Sequence, residues 1–418
     1  MDRRQFIKTS AVGGLGIFGA FESTFAQSTG PIKIGLMAPL TGVLAAGGKE
    51  IVEGFNLFWE LNGKKAGGRE VQIFVEDDGS NPDIALQKAR KLTEQTKVDF
   101  LVGNLLANTG LAVAEYAKTN GIPYFIPVIA ADDLTQRARI PNVIRVAGYS
   151  ASQTTHPLGD YAYKKLGFRK IVTISQDYTF GHEQCGGLCQ VFTENGGTIL
   201  SQLWNPLNTQ DFSSYFAQIK SAKPDAVFCM QTGADANRFL QQWTSFGMKG
   251  KIPLIGAQNT TDQSVIRSLG DEPEGIISAS FFAEGNPVPA TQKFVGEYNI
   301  ANKQLPSIYG FTHYTAAIWL VKAINKLNGN IENRPLFLDT IKKTVLEESP
   351  LGKPVRLDNY GNPIYDVFIR KVVKRPDGKY WNVSIDSYPN VSQFWTYKPE
   401  EYMKQPPYSR TFQGIKKS

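Results

Sequence analysis

The sequence predicts an α/β protein built as two halves, each a mostly parallel sheet flanked by helices. Three observations predict it. Short apolar runs alternate with helical patterns over most of the chain, the signature of βαβ units. The alternation stops near Gly148 and restarts. The length, 418 residues, exceeds what one hydrophobic core usually serves.

The elements follow in order. Residues 32–37 form a short apolar strand, and 50–61 place Ile51, Phe55, Phe58 and Trp59 near helical spacing. Gly63, Gly67 and Gly68 end that helix. A second strand covers 71–75. Asn81-Pro82 opens the next helix, with Pro82 in the favoured first turn. Strand 98–102, helix 109–118 and strand 124–126 complete the first run. After Gly148 the expected order is helix 152–166, strand 170–174, helix 181–194, strand 198–203, helix 212–221, strand 225–230, helix 234–246 and strand 253–256. Strand 276–280 is then followed by helices at 290–302, 311–327 and 335–346. Late strands fall near 355–357, 365–373 and 380–385. The tail from 388, rich in Pro and aromatics, reads as a partly docked coil.

The first 26 residues read as an export signal. Arg3-Arg4-Gln5-Phe6-Ile7-Lys8 is a twin-arginine pattern. The apolar stretch 11–21 is shorter than the roughly 20 residues that span a bilayer, and Thr24-Phe25-Ala26 suits cleavage after Ala26. The implied location is periplasmic. Gly14-Leu15-Gly16-Ile17-Phe18-Gly19 fits G-x-G-x-x-G, but it lies inside this apolar core and not between a strand and a helix, so it carries no dinucleotide reading. The net charge of +7 is spread along the chain without a dense basic run, which speaks against nucleic acid. Cys185, Cys189 and Cys229 lack metal-ligand spacing. Cys185 and Cys189, four apart on a helix, are either a strained disulfide or two buried thiols.

Nothing in the sequence builds a catalytic centre, and no cofactor is implied. His156, His182 and His313 fall in no H-E-x-x-H motif, and neither a G-x-S-x-G elbow nor a phosphate loop occurs. Asp77-Asp78 and Asp132-Asp133 are adjacent pairs that read as turn and helix-start acids. Secretion, fold and the missing catalytic groups point to capture of a small molecule.

Four segments accumulate toward one family. Lys-Ile-Gly-Leu-Met-Ala-Pro-Leu-Thr-Gly (33–42), Glu-Asp-Asp-Gly-Ser-Asn-Pro (76–82), Gly-Ile-Pro-Tyr-Phe-Ile-Pro (121–127) and Asp-Tyr-Thr-Phe-Gly (177–181) stand in order along the chain. They resemble the leucine/isoleucine/valine-binding proteins of ABC transporters, over about residues 31–373. The resemblance implies a type I periplasmic binding fold: two Rossmann-like lobes joined by three hinge crossings, with the ligand between them. Lobe one would comprise 31–148 and 283–357, lobe two 152–280 and 363–385, and 388–418 a C-terminal extension. The implied partner is an ABC permease pair docking on a closed monomer; a ligand sensor acting through a separate receptor is the alternative.

Ligands of open α/β sheets bind beyond the carboxyl ends of strands. Those ends place Ala107, Asn108 and Thr109, then Val128, Ile129 and Ala130, in the first lobe's wall. Phe180, Thr232, Gln258 and Asn259 come from the second lobe, and Tyr309 from the late helices. Against the amino-acid binders the resemblance implies departures: Ala107 where a serine is usual, Ala130 where a threonine is usual, Phe180 for a tyrosine, and the neutral Gln258 for the glutamate that pairs with the ligand's ammonium. A buried ammonium without a carboxylate partner is costly. The expected ligand is therefore a small carboxylate without an ammonium, with aromatic acids among the candidates. Branched-chain or other amino acids, amides, ureas and oligopeptides remain open.

Overall fold

A computed structural model describes residues 30–416. The twin-arginine segment and the cleavage expected after Ala26 lie outside the described residues. The first half contributes β1 (Ile32–Ala38), α1 (Ala45–Leu61), β2 (Lys65–Ala66), β3 (Arg69–Asp77), α2 (Pro82–Arg90), β4 (Phe100–Gly103), α3 (Ala107–Asn120), β5 (Tyr124–Phe125) and β6 (Val143–Ile144). These strands form one sheet in the order β2-β3-β1-β4-β5-β6, parallel apart from the short β2–β3 pair.

The chain then crosses to a second sheet. Its elements are α4 (Ala151–Lys164), β7 (Lys170–Gln176), α5 (Thr179–Glu194), β8 (Thr198–Asn205), α6 (Ser213–Ala222), β9 (Ala226–Met230), α7 (Gly233–Ser245), β10 (Leu254–Gly256), α8 (Gln263–Ile266) and β11 (Ile277–Ser280). It crosses back into α9 (Pro289–Asn302), α10 (Ile308–Lys326) and α11 (Arg334–Lys343), and α1 packs beside both α9 and α10 in the first lobe. A third passage leads to β12 (Arg356–Leu357), β13 (Pro363–Lys374) and β14 (Tyr380–Val391), antiparallel additions to the second sheet.

The sequence explains this layering. Strands covered by helices on both faces lack polar alternation; β4 and β9 are buried at every position. Where α1 crosses α10, Gly54 faces Gly310. A Cβ on Gly54 would stand 2.1 Å from the Gly310 carbonyl oxygen, so the backbones touch only because position 54 is glycine; a Cβ on Gly310 would instead stand 2.8 Å from the Tyr298 ring. Trp59 of α1 and Trp319 of α10 are both fully buried.

Several helices start earlier than the sequence predicts: α3 at Ala107, α5 at Thr179 and α10 at Ile308. The residues before α3 and α5, Leu106 and Tyr178, are extended and make no side-chain cap, so the polar signal that marks a helix start is missing there. Cys185, Cys189 and Cys229 are all free and buried. The tail is more ordered than a coil. β14 runs to Val391, α12 (Pro399–Tyr402) follows, and Phe394, Tyr402 and Tyr408 form a small aromatic core. Asp132 starts a single turn spanning Asp132–Thr135, as expected of a helix-start acid, and is buried there at 3 % exposure.

Candidate ligand-binding cleft

The carboxyl ends of the two sheets face each other, and a cavity lies between them. Leu105, Ala107, Val128, Ala130 and Tyr309 line it from the first lobe, Tyr178, Phe180, Thr232 and Asn259 from the second, and Tyr149 from the first crossing. None of the ten is charged. The lobes stand close. The cavity measures about 10 Å3, room for roughly one water, within about 290 Å3 not filled by atoms. A ring-sized guest therefore enters with the lobes parted. A larger groove of about 580 Å3 lies between α8, the end of α9 and the β13–β14 hairpin, but it is open and its rim carries both signs of charge, including Lys303, Lys379, Asp271 and Asp377.

Three helices begin at the cavity: α3 at Ala107, α5 beside Phe180 and α7 behind Thr232. None has a side-chain cap on its first N–H groups. Uncapped helix N-termini present free N–H donors and the positive end of the helix dipole. The first turns of α3 and α5 therefore offer backbone donors to an anion in a cavity whose lining holds no positively charged residue. Its walls are aromatic: the Tyr149 ring lies 6.4 Å from that of Phe180, which lies 6.2 Å from that of Tyr178. Burial pushes the Tyr149, Tyr178 and Tyr309 phenols up, so these hydroxyls stay neutral.

Of the residues expected from sequence, Ala107, Val128, Ala130, Phe180, Thr232, Asn259 and Tyr309 line the cavity. Four do not. Asn108 sits at the rim, where Thr179 Oγ1 donates to its Oδ1 at 3.3 Å across the lobes. Thr109 turns its hydroxyl onto the Leu106 carbonyl at 2.7 Å. Ile129 is fully buried and packs against Gly110 beneath α3. Gln258 lies one layer back, 1 % exposed, beside the Tyr149 hydroxyl. Its carbonyl accepts from Arg370 at 3.0 Å, while both amide atoms of its side chain are buried without a protein partner. The sequence reading missed Leu105, Tyr149 and Tyr178. Tyr178, two residues beyond the end of β7, was within reach of the strand-end rule; Tyr149 belongs to a crossing, which no periodicity marks.

Further bonds tie the lobes together. Asn259 Nδ2 donates to the Tyr309 hydroxyl at 2.9 Å, and Ile308 N–H donates to Asp262 Oδ2 at 2.9 Å. Arg267 pairs with the buried Glu50 at 2.5 Å. Burial raises that carboxyl to about 7, with Arg267 opposing the rise. Close approach also needs Gly233, whose Cβ, if present, would stand 2.4 Å from the Val43 carbonyl oxygen of the first lobe.

A family profile described as periplasmic binding protein matches residues 31–379, most of the chain. The chain belongs to the periplasmic binding protein family. This binding protein is 30% identical to an ABC transporter substrate-binding protein from Sphaerobacter thermophilus, with a TM-score of 0.81 over 87% of this chain and 99% of that one. It is 27% identical to a solute-binding protein of an ABC transporter from R. palustris solved in complex with benzoate, with a TM-score of 0.81 over 87% and 98% of the two chains. A curated relative, Leu/Ile/Val-binding protein homolog 6 of Brucella abortus (strain 2308), is 25% identical over 391 residues, covering 91% of this chain and 97% of its own. The periplasmic binding protein family acts outside the cytoplasm, and this member captures a small organic solute between its lobes and performs no catalysis. Among the described residues no helix is long and apolar enough to cross a membrane.

Proposed function

We propose that the cleft holds an aromatic carboxylate and that the protein delivers it, as a monomer, to the permease of an ABC transporter. The observation that carries this reading is the uncharged, aromatic-walled cavity at the meeting point of three uncapped helix N-termini. The first-turn amides at Ala107, Asn108 and Thr109 hold the carboxylate, since N–H groups at a helix start bind anions without a cationic side chain. Tyr149, Tyr178, Phe180 and Tyr309 enclose the ring. The unpaired amide of Gln258 meets a polar substituent at the far end, because a buried donor and acceptor left unmatched cost about 1–3 kcal/mol. The R. palustris relative held benzoate, which fits this arrangement. An α-ammonium would find no carboxylate among the lining residues, which counts against an amino acid. The moving bodies are residues 31–148 with 283–357 and residues 152–280 with 363–385, and the extension from 388 stays with the second. The N-terminal 26 residues act as the export signal.

Calorimetry and thermal-shift measurements with benzoate, 4-hydroxybenzoate, leucine and valine test the reading. A ligand that binds only the folded state adds about 2.7 kcal/mol of stability at a hundredfold excess over Kd. The aromatic acids are expected to raise the melting temperature, and 4-hydroxybenzoate to do so at lower concentration than benzoate. Stabilisation by leucine or valine without any by the aromatic acids overturns the proposal. A sensor in place of a carrier would show as ligand-dependent capture of a receptor and not of a permease.

A further inference from the structure

Beside the hinge, away from the ligand cavity, the molecule buries a second polar cluster. Asp132 lies on the turn that follows β5, and Glu183 on α5 of the other lobe; each is 3 % exposed. Glu183 Oε1 accepts the Asp132 backbone N–H at 3.0 Å, and Ser152 N–H donates to Asp132 Oδ1 at 3.1 Å. The remaining carboxyl oxygens, Asp132 Oδ2 and Glu183 Oε2, are buried with no protein partner. Gln136 Nε2 is orphaned in the same way. The C-terminal extension closes the cluster: Tyr402 and Tyr408 join Asp132 and Gln136 around a cavity of about 10 Å3, room for roughly one water.

One cation, Arg145, acts on both acids. Its bonds go elsewhere, to the carbonyls of Ile129 and Ala131 and to Thr135 and Asn362. The cluster thus sets one positive charge against two carboxyl groups in a site with room for about one water. Two carboxylates that share a dry site cannot both ionise at ordinary cost. We propose that Asp132 and Glu183 hold one proton between them across the lobe junction, and that losing this proton in alkaline medium loosens the hinge.

The surrounding groups agree. Asp133 on the same turn is paired with Arg137 at 2.7 Å. His156 on α4 is pushed down to about 3 by burial and stays neutral beside Tyr408. The Tyr402 and Tyr408 phenols of the extension and the Tyr149 phenol of the first crossing are pushed up by burial. Asp358 of the third passage also acts on Arg145, opposing the fall that burial imposes on it. Burial is the largest cause raising both acids; Asp132 adds to the rise at Glu183. The folded chain therefore binds a proton that the unfolded chain releases in the usual carboxylate range. The stability it contributes is present at low pH and is lost as pH rises through the pair's raised titration. A protein outside the cytoplasm meets such changes in its medium directly.

Thermal melting between about pH 5 and pH 9, without ligand, tests this on wild type, Glu183→Gln and Asp132→Asn. Each amide removes one of the two acids, so its melting temperature is expected to fall less with pH and to exceed that of wild type at the alkaline end, by roughly 3 °C for Glu183→Gln and by less for Asp132→Asn, which keeps the buried Glu183. Glu50, also raised by burial, is present in all three and cancels in the difference. In the infrared difference between neutral wild type and Glu183→Gln, from which Glu50 cancels, the band of a protonated carboxyl is expected on the wild-type side. Melting profiles that run parallel in all variants, or a difference spectrum without that band, overturn the proposal. No ligand enters the experiment, so its failure is distinct from failure of the aromatic-acid reading.

Discussion

Gln258→Glu is expected to raise the Kd for an aromatic acid by about a hundredfold or more at neutral pH. The substitution is nearly isosteric, so the fold around it stays. It places an acid at 1 % exposure beside Tyr149, behind a cavity whose lining holds no cation. The introduced side chain, when charged, stands at the far end of the ligand from its carboxylate, and across a closed cleft with little water to screen them the two like charges still repel, where about 1.4 kcal/mol is tenfold. Alternatively the new side chain takes up a proton to avoid an unpaired buried charge. Affinity is then expected to recover as pH falls, a dependence the wild-type amide cannot show. Calorimetric titration at two pH values measures both effects. Wild-type affinity in Gln258→Glu at neutral pH would place the ligand elsewhere.

Arg370→Met is expected to destabilise the protein by about 3–5 kcal/mol and to weaken ligand binding with it. Arg370 is 1 % exposed and belongs to β13, yet its guanidinium reaches three other segments. It donates to the Phe282 carbonyl at 2.8 Å, the Gln258 carbonyl at 3.0 Å, Thr261 Oγ1 at 3.2 Å and Ser278 Oγ at 3.2 Å. Burial lowers its pKa and the nearby Glu284 opposes that shift. Methionine fills the volume but leaves these acceptors unmatched and Glu284 without its countercharge. Phe282 begins the second crossing and Gln258 backs the cleft, so one side chain ties hinge to site. Arg370→Lys restores the charge but not the planar fork, and is expected to recover only part of the loss. Denaturant unfolding reads the stability and calorimetry the affinity. A midpoint for Arg370→Met equal to that of wild type would remove this account of the hinge.

How far the chain could be read follows from the range of the forces involved. The strand–helix alternation was legible because parallel strands buried on both faces are apolar runs, and because Gly63, Gly121 and Pro82 punctuate them by local backbone preference. The starts of α3 and α5 were not legible, since Leu106 and Tyr178 precede them without a capping side chain. That two-residue shift moved Ala107 and Asn108, expected ahead of the helix, into its first turn with Thr109, where the start has no side-chain cap and the Thr109 hydroxyl is engaged. The burial of Asp132 was equally hidden, because its partners Ser152 and Glu183 lie beyond a crossing.

The amino-acid order alone determined two runs of βα units, the strand ends that face the cleft, and a neutral amide at position 258, because such features depend on residues within a few positions of one another. Tertiary structure alone decided that Tyr149, Tyr178 and Tyr309 would meet in one cavity, that Gln258 would keep its amide unpaired, and that two acids would be shut in beside the hinge. Those outcomes depend on where three crossings set one sheet against the other, a geometry fixed by packing between segments far apart in the chain.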